Sequence, residues 1–186
     1  MLRLFIALHF PDGIKRQLGD IIEQARRKAD GIKWVEPHNM HLTLKFLGDT
    51  PKNMVSPIIG GIESAIAGAS ACRITVDGFG GFPNLRKPRV IWAGMNGAGP
   101  IVKMAGAINS ELAGIGIEKD SKRFSPHITL GRVKQPGNYG ALADFLQDLN
   151  FSSEPLILDS LALVQSTLTP SGPIYENVHK CKLKHT

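Results

Sequence analysis

Two tripeptides of the chain carry the residue types of an acid/base site. They are His41-Leu42-Thr43 and His127-Ile128-Thr129, one in each half of the sequence, and each is followed by a leucine. Their surroundings, Asn39-Met40-His41-Leu42-Thr43-Leu44-Lys45 and Ser125-Pro126-His127-Ile128-Thr129-Leu130-Gly131, read as strands. Side chains alternate along a strand, so His and Thr share one face and the aliphatic residues take the other. The chemistry such faces offer is phosphoryl chemistry. Cleavage of a phosphodiester by water needs a base for the nucleophile and an acid for the leaving oxygen, and imidazole serves both near neutral pH. In-line attack places these groups on opposite sides of phosphorus. Threonine hydroxyls can donate to the non-bridging oxygens. Chance alone supplies about a quarter of one His-x-Thr in such a chain, so a single copy would mean little. Two matching copies in expected strands mean much more. The competing structural reading is two half-buried histidines, each bonded to its neighbouring threonine.

The elements that would position these residues follow from hydrophobic periodicity. Strands are expected at Leu2–Phe10, Ile32–Val35, Met40–Leu47, Arg73–Val76, Val90–Met95, Ser125–Val133, Leu156–Asp159, Ser160–Leu168 and Tyr175–Leu183. Helices are expected from Asp12 to about Asp30, over Lys52–Ala67, over Pro100–Ala113 and over Tyr139–Leu149. The first has its apolar stripe at Ile14, Leu18, Ile21, Ile22 and Ala25. Gly78, Gly80, Gly81, Pro83, Arg86, Lys87, Pro88 and Arg89 read as a loop, and Thr169-Pro170-Ser171-Gly172-Pro173 as a turn between the last two strands. Neighbouring strands are often joined directly, which argues an α+β fold with largely antiparallel sheet.

The 186 residues suit one domain, or one domain made of two similar halves. With 42% hydrophobic and 20% charged residues, disorder is excluded as the main state. The net charge of +6 favours anionic partners, though it is weak evidence alone. Cys72 and Cys181 fit no Cys-x-x-Cys pattern and read as two inert thiols of a reduced, cytoplasmic protein. The apolar start, Met1 to Leu8, reads as a buried strand rather than a signal peptide, and no stretch is long enough to span a membrane. No His-Glu-x-x-His, His cluster or acidic cluster accompanies the motifs, so neither a metal nor any other cofactor is expected.

The motifs with their flanks resemble the two-histidine phosphoesterases, and specifically the RNA 2′,3′-cyclic phosphodiesterases once called 2′-5′ RNA ligases. The resemblance runs through Arg3-Leu4-Phe5-Ile6-Ala7, Trp34-Val35, His41 to Gly48, Gly81-Phe82-Pro83 with Arg89 to Gly94, Phe124 to Arg132, and Ser166 to Tyr175. It implies a single two-lobed, pseudo-duplicated domain over residues 1–186, with two mainly antiparallel sheets facing a central cleft and helices outside. It implies hydrolysis of a terminal 2′,3′-cyclic phosphate to a 2′-phosphate, on RNA ends or nucleoside cyclic phosphates. His41 would be the proton donor and His127 the proton acceptor, while Thr43, Thr129 and Arg132 would bind the phosphate. Strict alternation would turn Arg132 away from His127, so a bulge or strand end is needed near Gly131. A monomer is expected. Two alternatives remain at this point: 2′-5′ ligation at the same phosphorus, and a non-catalytic RNA-end binding module.

Other residues are weighed by the same rules. Lys45 shares the parity of His41 and Thr43 and reads either as cleft charge or as a solvated strand-end lysine. Arg86 to Arg89 could track an RNA backbone or simply be solvated. Trp34, Phe46 and Tyr175 are candidates to border a base, with core packing the better expectation for Phe46 and a more open position for Tyr175. His9, His38, His179 and His185 read as incidental.

Overall fold

The computed structural model describes residues 1–170 and 172–184. His185 and Ser171 of the expected turn lie outside them. The elements run β1 (Leu2–His9), α1 (Asp12–Arg26), β2 (Ile32–Trp34), β3 (His41–Thr50), α2 (Val55–Ile66), β4 (Cys72–Phe82), β5 (Val90–Asn96), α3 (Gly99–Gly114), β6 (Ile128–Val133), α4 (Gly140–Asp148), β7 (Leu156–Leu158), β8 (Ser160–Thr169) and β9 (Gly172–Lys182). Among the described residues no helix is long and apolar enough to cross a membrane.

The strands form two sheets, ordered β3-β1-β8-β9 and β2-β6-β5-β4-β7. Every pairing within them is antiparallel. The fold is therefore α+β with two antiparallel sheets. The first motif strand, β3, belongs to the first sheet and the second, β6, to the other, and the two lie in contact.

Helical periodicity accounts for the outer faces. Ile14, Leu18, Ile21, Ile22 and Ala25 of α1 are all buried, as are Ile58, Ile62 and Ile66 of α2 and Ile101, Met104 and Ile108 of α3. They join Leu4, Ile6 and Leu8 of β1 and Leu42 and Leu44 of β3 in the main core. The opposite face of β1 has a small cluster of its own, in which Phe5 and Ala7 pack with Ala162, Val164 and Tyr175. β1 is thus buried on both faces, which explains its unbroken apolar sequence.

Two glycine-bearing segments depart from expectation. β3 does not stop at Leu47 but passes through Gly48, which takes a positive φ of 68°, and pairs as far as Thr50 with Leu2. The expected loop after Val76 is strand as far as Phe82. Gly78 takes a positive φ of 66° at a register shift, whereas Gly80 and Gly81 are there for space. A Cβ added to Gly80 would stand 2.1 Å from the Trp92 ring lying across it. Gly80 pairs with Trp92 in the ladder, so the bare backbone is the seat of that indole.

A side chain at Gly80 would have to push Trp92 off the sheet. Gly80→Ala is expected to destabilise the protein by about 1–3 kcal/mol, the usual cost of overpacking. Urea denaturation checks this; a change below about 0.5 kcal/mol would refute the seating of Trp92.

Candidate active site

A cavity of about 980 Å³ opens between the sheets. Its walls take Phe5, His41, Thr43, Phe46 and Tyr175 from the first sheet, and Thr129 and Arg132 from the second. The structure therefore brings His41, both motif threonines and Arg132 together around one volume. His127 does not line that volume itself. It immediately precedes β6, one alternation before Thr129, and is half-buried.

The two histidines are held alike. His41 Nδ1 lies 2.7 Å from the Asn39 carbonyl oxygen, and His127 Nδ1 lies 2.7 Å from the Ser125 carbonyl oxygen. A carbonyl can only accept, so Nδ1–H donates in each case. That fixes the tautomer and leaves Nε2 free to accept or, when protonated, to donate. Aromatic rings wall both imidazoles. Phe5 and Tyr175 stand 4.8 and 5.2 Å from the His41 ring, with Tyr175 edge-on. Phe82 stands edge-on at 5.1 Å from His127, with Trp92 at 6.4 Å.

Each motif strand has one extra residue just after its threonine. In β3, Thr43 pairs with Ala7 and Lys45 with Ile6, leaving Leu44 unmatched. In β6, Thr129 pairs with Trp92 and Gly131 with Ile91, leaving Leu130 unmatched. Such a bulge reverses the parity of the residues that follow it, and in β3 a second unmatched residue, Leu47, restores it from Gly48. Arg132 thereby joins Thr129 on the cavity side. Gly131, directly before Arg132, must be small, because a Cβ there would come 2.9 Å from the Trp34 ring.

The same reversal corrects two expectations. Phe46 is not core; it is 63% exposed, packs on Phe5 and lines the cavity. Lys45 is neither cleft charge nor solvated. It is 2% exposed, and its Nζ donates to Asn109 Oδ1 at 2.7 Å and the Glu118 carbonyl at 2.9 Å, with Asp120 at 3.2 Å. The ammonium thus ties β3 to α3 and to the segment leading towards His127.

Two histidines that read as incidental are not remote. His38 lines the cavity. His9 pairs with His41 across the β1–β3 ladder and bonds Asn177 through Nε2 at 3.0 Å. Strand register, which sequence does not display, was the missing signal for His9. Of the other candidates, Trp34 is 7% exposed at the cavity wall, and Arg86 bonds Asp144 at 2.7 Å.

Burial pushes the His41 imidazole down to about 4, against its ordinary 6.5. Its bond to Asn39 opposes this, while the charges of His9, Lys15 and Arg132 add to the lowering. The Arg132 effect shows that a guanidinium from the second sheet acts on a histidine of the first. Burial also lowers His9, and it raises Tyr175 against the effect of Arg132 and Arg3.

A profile of the LigT-like phosphoesterases matches residues 8–92 and 96–175. The chain belongs to this family. A Thermotoga maritima relative named RNA 2′,3′-cyclic phosphodiesterase is 35% identical over 184 residues, covering 98% of this chain and 96% of the relative. A Methanocaldococcus jannaschii relative of the same name is 35% identical over 178 residues, covering 94% and 97%. The crystal structure of a Thermus thermophilus protein superposes with a TM-score of 0.81 at 28% identity, over 98% of both chains.

The geometry yields two expectations. Lys45→Met leaves Asn109 and Glu118 short of a donor and should cost about 1–3 kcal/mol. Asp120→Asn, at a half-exposed partner, should cost less than about 1 kcal/mol. Urea denaturation of the two variants measures the contrast, and equal losses would refute the buried-anchor account. His41 should remain neutral down to about pH 4 in the free protein. Because its folded pKa is depressed, its contribution to stability is complete above 6.5 and lost as pH falls through 4. A nitrogen NMR titration reads this directly; a midpoint near 6.5 would contradict it.

Proposed function

We propose that this protein hydrolyses the terminal 2′,3′-cyclic phosphate of RNA to a 2′-phosphate, by acid/base catalysis with two histidines and without a metal. The observation that carries the reading is the matched presentation of the two imidazoles. Each gives Nδ1–H to the carbonyl two residues before it and keeps Nε2 for chemistry. The relatives named RNA 2′,3′-cyclic phosphodiesterase support the choice of phosphoester.

The cyclic phosphate sits between the two motif strands. Thr43 and Thr129 hydroxyls donate to its non-bridging oxygens, and the Arg132 guanidinium balances the charge that builds there. His127 Nε2 takes a proton from water as the water oxygen attacks phosphorus. The bond from phosphorus to the 3′ oxygen breaks, and His41 Nε2–H delivers its proton to that oxygen. The 2′ linkage survives, so the product is a 2′-phosphate. Solvent then removes the proton from His127 and restores one to His41. Phe46 and Tyr175, at the wall beside His41, flank the sugar and base.

Each of His41→Ala and His127→Ala should lower kcat/KM by about 10²–10⁴-fold. Phosphorus NMR of a nucleoside 2′,3′-cyclic phosphate, run with chelator present, should show 2′-phosphate as the sole product. Full turnover in the double variant would remove the mechanism. A 3′-phosphate product would exchange the leaving oxygens. Loss of turnover in chelator, regained with a divalent ion, would defeat the metal-free step. Replacing water by an RNA 5′ hydroxyl in the same assay distinguishes ligation, and tight binding without turnover would point to a binding module.

A further inference from the structure

Behind the first sheet, on the face away from the cavity, a second set of reactive side chains converges. The β8–β9 ladder has a register shift between Leu163 and Val164, so that His179 pairs with Leu163 and Asn177 with Val164. Val178 is the unmatched residue. Before it, Tyr175 belongs to the cavity-side cluster. After it, Cys181 belongs to the main core. Residues of equal parity in sequence thus serve opposite faces, and His179 and Cys181 turn together towards α2. There His179 Nε2 meets Glu63 Oε1 at 2.9 Å. The sulfur of Cys181, one imidazole nitrogen of His179 and a carboxylate oxygen of Glu63 all lie within 4.8 Å of one another.

We propose that Glu63, His179 and Cys181 form a binding site for a zinc-class divalent cation, pinning α2 to the edge strand β9. The donor set is one sulfur, one nitrogen and one oxygen, which suits a borderline-soft ion that favours tetrahedral coordination. Zinc bonds of about 2.0–2.3 Å place tetrahedral ligand atoms about 3.3–3.6 Å apart. Closing the triad therefore needs about an ångström of movement, and Glu63 can supply it, because its side chain is 56% exposed. The fourth position falls to water, since His179 is also partly open, at 34%. On binding, the Cys181 thiol proton leaves to solvent. The proton through which Nε2 bonds Glu63 leaves that nitrogen to solvent, and the imidazole, with its one remaining proton on Nδ1, coordinates through Nε2. Burial and the Glu63 carboxylate hold the thiol up in the free site, and the charge of the ion reverses that preference. No part of the cluster lines the active-site cavity, so binding is separable from turnover.

Cobalt(II) titration of the chelator-stripped full chain tests the site. The expected result is one equivalent of cobalt with a thiolate-to-cobalt charge-transfer band and tetrahedral d–d absorption, both displaced by zinc. Cys181→Ser should abolish the charge-transfer band. Glu63→Gln, at an exposed position where folding is not at stake, should weaken binding by at least about tenfold, the loss typical of even an outer-shell partner. His41→Ala should leave binding unchanged. Absence of a one-equivalent band in the unaltered protein would overturn the proposal, leaving a plain His179–Glu63 hydrogen bond beside a thiol. So would a band that survives in Cys181→Ser, which would trace the sulfur to Cys72, or undiminished affinity in Glu63→Gln.

Discussion

A regular strand alternates without exception, so residues after His-x-Thr can reach the cleft only at every second position. An unmatched leucine directly after the threonine of each motif strand lifts that restriction. Leu44 in β3 and Leu130 in β6 occupy the same place relative to their threonines. Both side chains are in the core, at 4% and 1% exposure. Burying each is worth about 1.5–3 kcal/mol, which offsets the ladder bonds that a bulge forgoes. Were the strands to alternate regularly through Leu44 and Leu130, Phe46 would point into the core and Arg132 would face away from Thr129. The places of Phe46 and Arg132 at the cavity both hang on these bulges.

The bulges also make two like motifs unlike in use. On the first sheet the reversed parity delivers an aromatic ring, Phe46; on the second it delivers a cation, Arg132. What is turned inward differs as well. Lys45 carries its ammonium into the seam between β3 and α3, where Asn109, Glu118 and Asp120 receive it. Gly131 carries nothing, which lets the Trp34 ring close over the strand. A buried ion pair is seldom retained for stability alone. Here the buried ammonium ties the first motif strand to α3 and to the segment that runs on to Pro126 and His127.

Much of this was legible in the sequence, because it is local. Helical stripes such as Ile14-Leu18-Ile21-Ile22 and the alternation in His41-Leu42-Thr43 depend on neighbours a few residues away. What was not legible depends on pairing. Phe46 reads as core, and Lys45 as cleft charge or a solvated strand end, only while alternation is assumed to continue, and the bulge at Leu44 is a property of the β1–β3 register. His9 has no motif of its own; it matters because that register sets it beside His41. Gly78, Gly80 and Gly81 suggest a loop by composition, yet Gly80 pairs in the ladder and is glycine because Trp92 needs the room. The need for a bulge at Arg132 was readable, since the resemblance and the alternation rule disagreed there.

The depressed basicity of His41 bears on its proposed role as proton donor. A strong acid protonates a leaving alkoxide readily, but a group with a pKa of about 4 is seldom protonated near neutrality. The causes of the depression resolve the conflict. Its largest cause is burial, and among the rest is the Arg132 charge. A cyclic phosphate brings a negative charge into that space, neutralises the guanidinium and favours the imidazolium. Substrate would then recruit the proton that its own cleavage consumes. Phe5 and Tyr175, packed against the imidazole, belong to the burial that holds it neutral until that charge arrives.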